Sequence, residues 1–125
     1  MTFASDAEQT EQELAEFRQS MGLELPHYYV EYLKRGNAGE GFIGDEYLIL
    51  WRIGELKQFN QEYEVREYLT DILLFGSNGG GEAYGFRTKS FPWEVVRVPF
   101  VGMAPELCIR VAGSFSEFLS SLKPS

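Results

Sequence analysis

The 125-residue chain has a single cysteine, Cys108, and a single histidine, His27. One cysteine excludes an intramolecular disulfide and fits a reducing, cytoplasmic setting. One of each excludes the usual structural zinc sets, which take four Cys or His ligands. A Cys–His nucleophilic pair would have to join Cys108 to His27. His27 follows Pro26 at a helix start and reads as a surface residue. Cys108 alternates with Leu107, Ile109 and Val111 and reads as a small buried hydrophobe, with nothing beside it to activate a thiol. Asp45-Glu46 lacks the loop pattern of a calcium hand. Nineteen acids leave open a carboxylate pair of the glycosidase kind, as they do in any acidic chain. No catalytic residue, metal or cofactor is expected.

Basic charge is also scarce. Eleven Lys and Arg stand against nineteen Asp and Glu, a net charge of −8. That balance disfavours nucleic acid and anionic lipid, which need clustered cations, and favours a basic partner. Solubility alone would also account for an acidic surface. No apolar run nears the ~18 residues of a membrane span. The first eight residues have no basic region and no apolar core, so no signal peptide is expected.

What the chain does have is an aromatic content of 15% and a hydrophobic content of 44%, enough for one real core. Its most informative stretch runs from Ile72 to Phe86. It reads as strand, glycine turn, strand, with Gly79, Gly80 and Gly81 after Asn78. The turn carries no lysine and opens no helix, so it is not a phosphate cradle. Upstream, Ser5 with Glu8 forms a capping-box pattern, and Leu14, Phe17 and Met21 make one apolar stripe. Leu25, Tyr29 and Leu33 share a face of a second helix that ends at Gly36. Residues 37–41 read as loop, with Glu40, Asp45 and Glu46 in one acidic, glycine-rich loop. Tyr47–Trp51 reads as a strand with Trp51 in the core, and residues 53–63 as a short helix. Residues 64–71 carry no clear signal beyond a second acidic group, Glu62, Glu64, Glu67 and Asp71.

Residues 72–75 and 83–88 are the two strands of the hairpin. Phe91-Pro92-Trp93 breaks the chain, and Trp93 is a candidate contact residue. Glu94–Pro99 is a further strand, and Leu107–Val111 is extended. Ser114 with Glu117 caps a last helix whose face is Phe115, Phe118, Leu119 and Leu122. The expected architecture is a single α+β domain over residues 5–122. It has an antiparallel sheet of three or four strands, helices at the N-terminus and a closing C-terminal helix. Residues 1–4 and 123–125 are expected to fray.

These pieces, in this order, resemble the SUKH superfamily, which includes fungal cell-wall assembly regulators and bacterial immunity proteins. The resemblance covers about residues 14–122. Leu25-Pro26 with Tyr29 and Leu33 is similar to the family's "LP-x-x-Y" helix. Gly36-Asn37-Ala38-Gly39 is similar to the turn after it, with Ala38 where a glycine is usual. Leu50-Trp51 and Glu55-Leu56 resemble the next strand and helix. Phe75–Glu82 resembles its glycine hairpin. Val98–Met103 and Ser114–Leu119 resemble its closing strand and helix.

The resemblance implies an α+β domain without catalytic activity. It implies a protein partner, most simply a basic bacterial toxin domain such as a nuclease or deaminase, neutralised by binding. The alternative it leaves is a regulatory domain of the cell-wall assembly type with no toxin partner. An enzyme or small-molecule binder is the third class. The partner-binding residues expected from loop position and charge are Glu40, Asp45, Glu46, Asn78, Gly79, Gly80, Glu82 and Trp93.

Overall fold

The computed structural model describes residues 6–122. Ser5, and with it the Ser5–Glu8 capping box, lies outside the described residues, as do the ends expected to fray. Helix α1 (Asp6–Met21) buries Leu14 and Phe17 on the expected stripe, and Gly22 ends it at φ +68°. Helix α2 (His27–Lys34) starts directly after Pro26 and buries Tyr29, Val30 and Leu33. Then come β1 (Gly39–Ile43), β2 (Glu46–Leu50), α3 (Ile53–Glu62) and the one-turn α4 (Val65–Tyr68). The chain continues through β3 (Ile72–Ser77), β4 (Glu82–Arg87), β5 (Glu94–Pro99), a 3-10 turn at Pro105–Leu107, β6 (Ile109–Ala112) and α5 (Phe115–Leu122). The class is α+β, as expected.

The sheet is larger than the three or four strands expected. Six strands run in the order β1-β2-β3-β4-β5-β6, each antiparallel to its neighbour. The extra strands are the two edges. Gly39–Gly41, expected as loop, opens β1, so Glu40 is a strand residue. Only Gly44-Asp45 forms the turn, and Glu46 begins β2. An edge strand of sequence Gly-Glu-Gly-Phe-Ile buries almost nothing and so shows no period-2 pattern. Its pairing with β2 overrides the weak strand propensity of glycine.

The core is aromatic. Tyr29 of α2 and Phe115 and Phe118 of α5 lie over Phe75 and Phe86 of the central strands, all five almost wholly buried. Their ring centroids are 4.3 to 6.1 Å apart, mostly in tilted or edge-on contact. Such contacts add about 0.5–1.5 kcal/mol each beyond area burial. A second cluster links Trp51, Phe59, Tyr63 and Phe100 and ties α3 to the β5–β6 connection. Trp51 is buried, as expected. Across the far end of the sheet, charges alternate in sign. Asp71 meets Arg87 at 3.8 Å, Arg87 meets Glu94 at 3.1 Å, and Glu94 meets Arg110 at 3.1 Å.

A hydrogen-bonded contact joins the sheet to α3. β2 pairs with β3 only at Ile49↔Ser77 and Leu50↔Gly76, then leaves. Trp51 N–H still donates to Phe75 O at 3.0 Å. Beyond it, the carboxamide of Asn60 on α3 takes the place of a strand. Its Oδ1 accepts from Leu74 N–H at 2.9 Å, and its Nδ2 donates to Leu74 O at 2.9 Å and to Leu56 O at 2.7 Å. Gly76 is required where β2 meets β3, because a Cβ there would overlap the Ile49 carbonyl.

Two outcomes follow. Asn60→Ala leaves the buried N–H and C=O of Leu74 without partners. Urea unfolding should show a loss of about 3 kcal/mol, against under about 0.5 kcal/mol for the exposed Gln58→Ala. Burial, with smaller contributions from Glu13 and Glu55, holds the Tyr29 phenol far above its ordinary value. A phenol raised on folding stabilises the native state fully below its unfolded value of about 10, and this stability is lost as pH rises above that. Tyr29 donates only a long 3.5 Å bond to Trp51 O. Tyr29→Phe should therefore change stability at pH 7 by less than about 1 kcal/mol and flatten the loss measured between pH 10 and 11.5.

Candidate partner-binding site

The β1–β2 and β3–β4 turns lie at the same end of the sheet and touch. Since Ile49 is opposite Ser77, Tyr47 falls beside Gly79. A Cβ on Gly79 would sit 2.9 Å from the Tyr47 ring, and Gly79 has φ +75°, so only glycine fits. Asn78 builds the turn from within. Its Oδ1 accepts from Gly80 N–H at 2.8 Å and Glu82 N–H at 3.3 Å, and its Nδ2 donates to Glu82 Oε1 at 3.2 Å. Ser77 Oγ accepts from Gly79 N–H at 3.0 Å. Phe100 N–H donates to Gly81 O at 3.0 Å from the far side. The glycine turn is therefore a fixed ledge.

Carboxylates surround it. Glu40, Asp45 and Glu46 are exposed and have no ion-pair partner among the described residues. Glu82 differs, since Arg97 stands 3.1 Å from it. Partial burial, then the nearby Glu40 carboxylate and its hydrogen bond, push the Tyr47 phenol up. Burial also raises Tyr84; Arg97 opposes this, while Glu46 and Glu82 add to it. Glu46 and Glu82 thus converge on Tyr84 from two hairpins. The seven residues expected from the two loops are brought together at this tip. Asn78 and Glu82 hold the turn, while Glu40, Asp45 and Glu46 face solvent.

Trp93 is not among them. It precedes β5 at the opposite end of the sheet, half-buried, its ring 5.7 Å from Phe86. Sequence reasoning missed Phe42, which is 72% exposed and meets Tyr47 edge-on at 5.0 Å. The signal was Gly44-Asp45, a two-residue hairpin turn between apolar flanks.

Elsewhere the groups that could do chemistry are quiet. Partial burial raises the half-buried Cys108 thiol, with Arg87 opposing and Asp71 and Glu106 adding. His27 is exposed at the start of α2. No cluster of metal-ligating side chains occurs among the described residues. No helix among them is long and apolar enough to cross a membrane. The second acidic group borders a cleft of about 650 Å³ between α1, α3 and α4, lined by Met21, Lys57, Gln61, Glu64, Arg66 and Tyr68. Its rim mixes both signs of charge and favours neither.

No curated protein matches the chain significantly. A family model described as the SMI1 / KNR4 family (SUKH-1) matches residues 9–121, nearly the whole chain. The glycine ledge, the Leu25-Pro26 helix entry and all but the last residue of the closing α5 lie inside that match, and the chain belongs to the SMI1/KNR4 (SUKH-1) family.

Proposed function

We propose that this domain is an immunity protein that binds a bacterial polymorphic toxin, of nuclease or deaminase type, and neutralises it without chemistry. Family membership supports, at family level, a protein-interaction domain with an immunity or regulatory role and no catalysis. The finer reading rests on one observation. Three exposed carboxylates without counter-ions among the described residues, Glu40, Asp45 and Glu46, share a rigid tip with the exposed Phe42 ring. An aromatic anchor rimmed by one sign of charge suits a protein of opposite charge. Toxins that act on nucleic acid are basic where they hold their substrate, so an acidic tip competes for the same surface.

Binding, as opposed to enzymatic inactivation, has a clear signature. Titrated against a cognate toxin, the protein should abolish toxin activity near one equivalent. A small sub-stoichiometric amount that inactivates the toxin over time would identify an enzyme instead.

Charge at the tip acts mainly on association. The triple variant Glu40→Gln, Asp45→Asn, Glu46→Gln should slow association roughly tenfold at low salt and flatten its salt dependence. The effect fades as the Debye length shrinks from ~30 Å at 0.01 M to ~8 Å at 0.15 M. Thermal stability should barely change. Stopped-flow rates unaltered at low salt would move the contact face away from this tip.

A further inference from the structure

The sheet has two edges, and they are built differently. β6 is four residues long, carries Arg110, has a register shift opposite Val95/Val96, and passes straight into α5. Those are the usual devices that blunt an edge. β1 has only one of them, the charge of Glu40. Its five residues pair with β2 without a bulge and include no lysine and no proline. The β1–β2 hairpin closes on a two-residue turn, so Ile43 and Glu46 exchange both main-chain bonds. Alternation then turns the N–H and C=O of Gly41 and Gly39 inward to β2, and those of Glu40 and Phe42 outward. No other part of the described chain bonds the outward amides of Glu40 and Phe42.

We propose that β1 is a docking edge that receives an extended basic segment of the partner as a seventh, hydrogen-bonded strand. The outward amides supply the main-chain bonds. The side chains select the occupant. On the face that carries Glu40 and Phe42, a neighbouring strand meets a carboxylate and an exposed ring, with Asp45 and Glu46 at the end of the hairpin. Lysine or arginine at alternate positions of the incoming strand would pair with these acids and lie over the aromatic face. A second copy of this chain fits poorly. Two-fold pairing along β1 would run antiparallel and set the Glu40 carboxylates of both copies on one face, with no cation from β1 to separate them, in a chain of net charge −8. The basic character of the occupant rests on the acidic-tip reading above, whereas strand addition rests on the open edge alone.

The test uses the full chain and two capped seven-residue peptides, one alternating Lys and Val, the other Glu and Val. Amide hydrogen exchange is followed by NMR. The Lys peptide should slow exchange at Glu40 and Phe42 at least about tenfold at saturation and leave Gly41 and Ile43 unchanged; the Glu peptide should do neither. Phe42→Pro removes an outward donor on an edge, where proline is tolerated. It should weaken binding of the Lys peptide about tenfold more than Phe42→Ala does, the worth of one main-chain bond. The exchange experiment on the unaltered chain stands even if the proline variant folds poorly. Equal protection by both peptides overturns the basic occupant. Lys-peptide binding with Glu40 and Phe42 still unprotected overturns strand addition and leaves the acidic-tip reading intact. Binding of neither peptide overturns the proposal. Protection in the protein alone, rising with concentration alongside a doubled mass in sedimentation, assigns the edge to a second copy.

Discussion

The three hydrogen bonds of the Asn60 carboxamide hold the architecture in its present form. An antiparallel sheet in which one strand departs early leaves a buried N–H and C=O on its neighbour. Here β2 departs after two pairings with β3, and the chain must turn into α3 within a few residues. A side-chain amide is the one group that offers a donor and an acceptor in the geometry of a peptide. By closing on Leu74, Asn60 lets a helix occupy the place of a strand and fixes the height of α3 on the sheet. From there Glu13 reaches Gly54 N–H at 2.9 Å, so α1 is anchored to the start of α3. α3, and α1 through it, take their position from one amide.

The same departure creates the tip. Because β2 and β3 overlap so little, the β1–β2 hairpin projects past the end of β3 and lies against the glycine turn. Gly76 lets β2 approach closely enough to begin the pairing, and Gly79 lets Tyr47 settle where the turn would otherwise block it. The glycines of this stretch therefore serve two ends. One brings two strands together, and the other seats an aromatic ring that supports an exposed neighbour, Phe42.

The sequence carried the parts that bury side chains. Leu14 with Phe17, Tyr29 with Leu33, and Phe115 with Phe118 and Leu122 showed helical spacing because each set faces a core. The central hairpin was legible because Asn78 and three glycines bracket it. β1 and β6 were not legible as full strands, since four of the five residues of β1 are exposed, two of them glycines, and Ile109 and Arg110 of β6 are exposed too. α4 was silent because a one-turn helix after Glu64 at φ 52° owes its form to Val65 dropping into the core, which is a tertiary effect. The acids and glycines of the tip were found, but their meeting depended on strand register. Trp93 was separated from them by the same fact, because a residue before β5 lies at the far end from the β3–β4 turn.

The β1–β2 hairpin has few obligations to the interior beyond Leu48, Leu50 and the half-buried Ile43, Tyr47 and Ile49. Phe42, Glu40, Asp45 and Glu46 are exposed, and the contacts of Phe42 and Glu40 with Tyr47 stay within the hairpin, so exchanging any of them leaves the core packing untouched. The aromatic core beneath α2 and α5 admits no such freedom, as its rings fill one another's space. Mutational tolerance is thus partitioned along the sheet. A lineage could revise the outer hairpin repeatedly without renegotiating the stability of the domain that displays it.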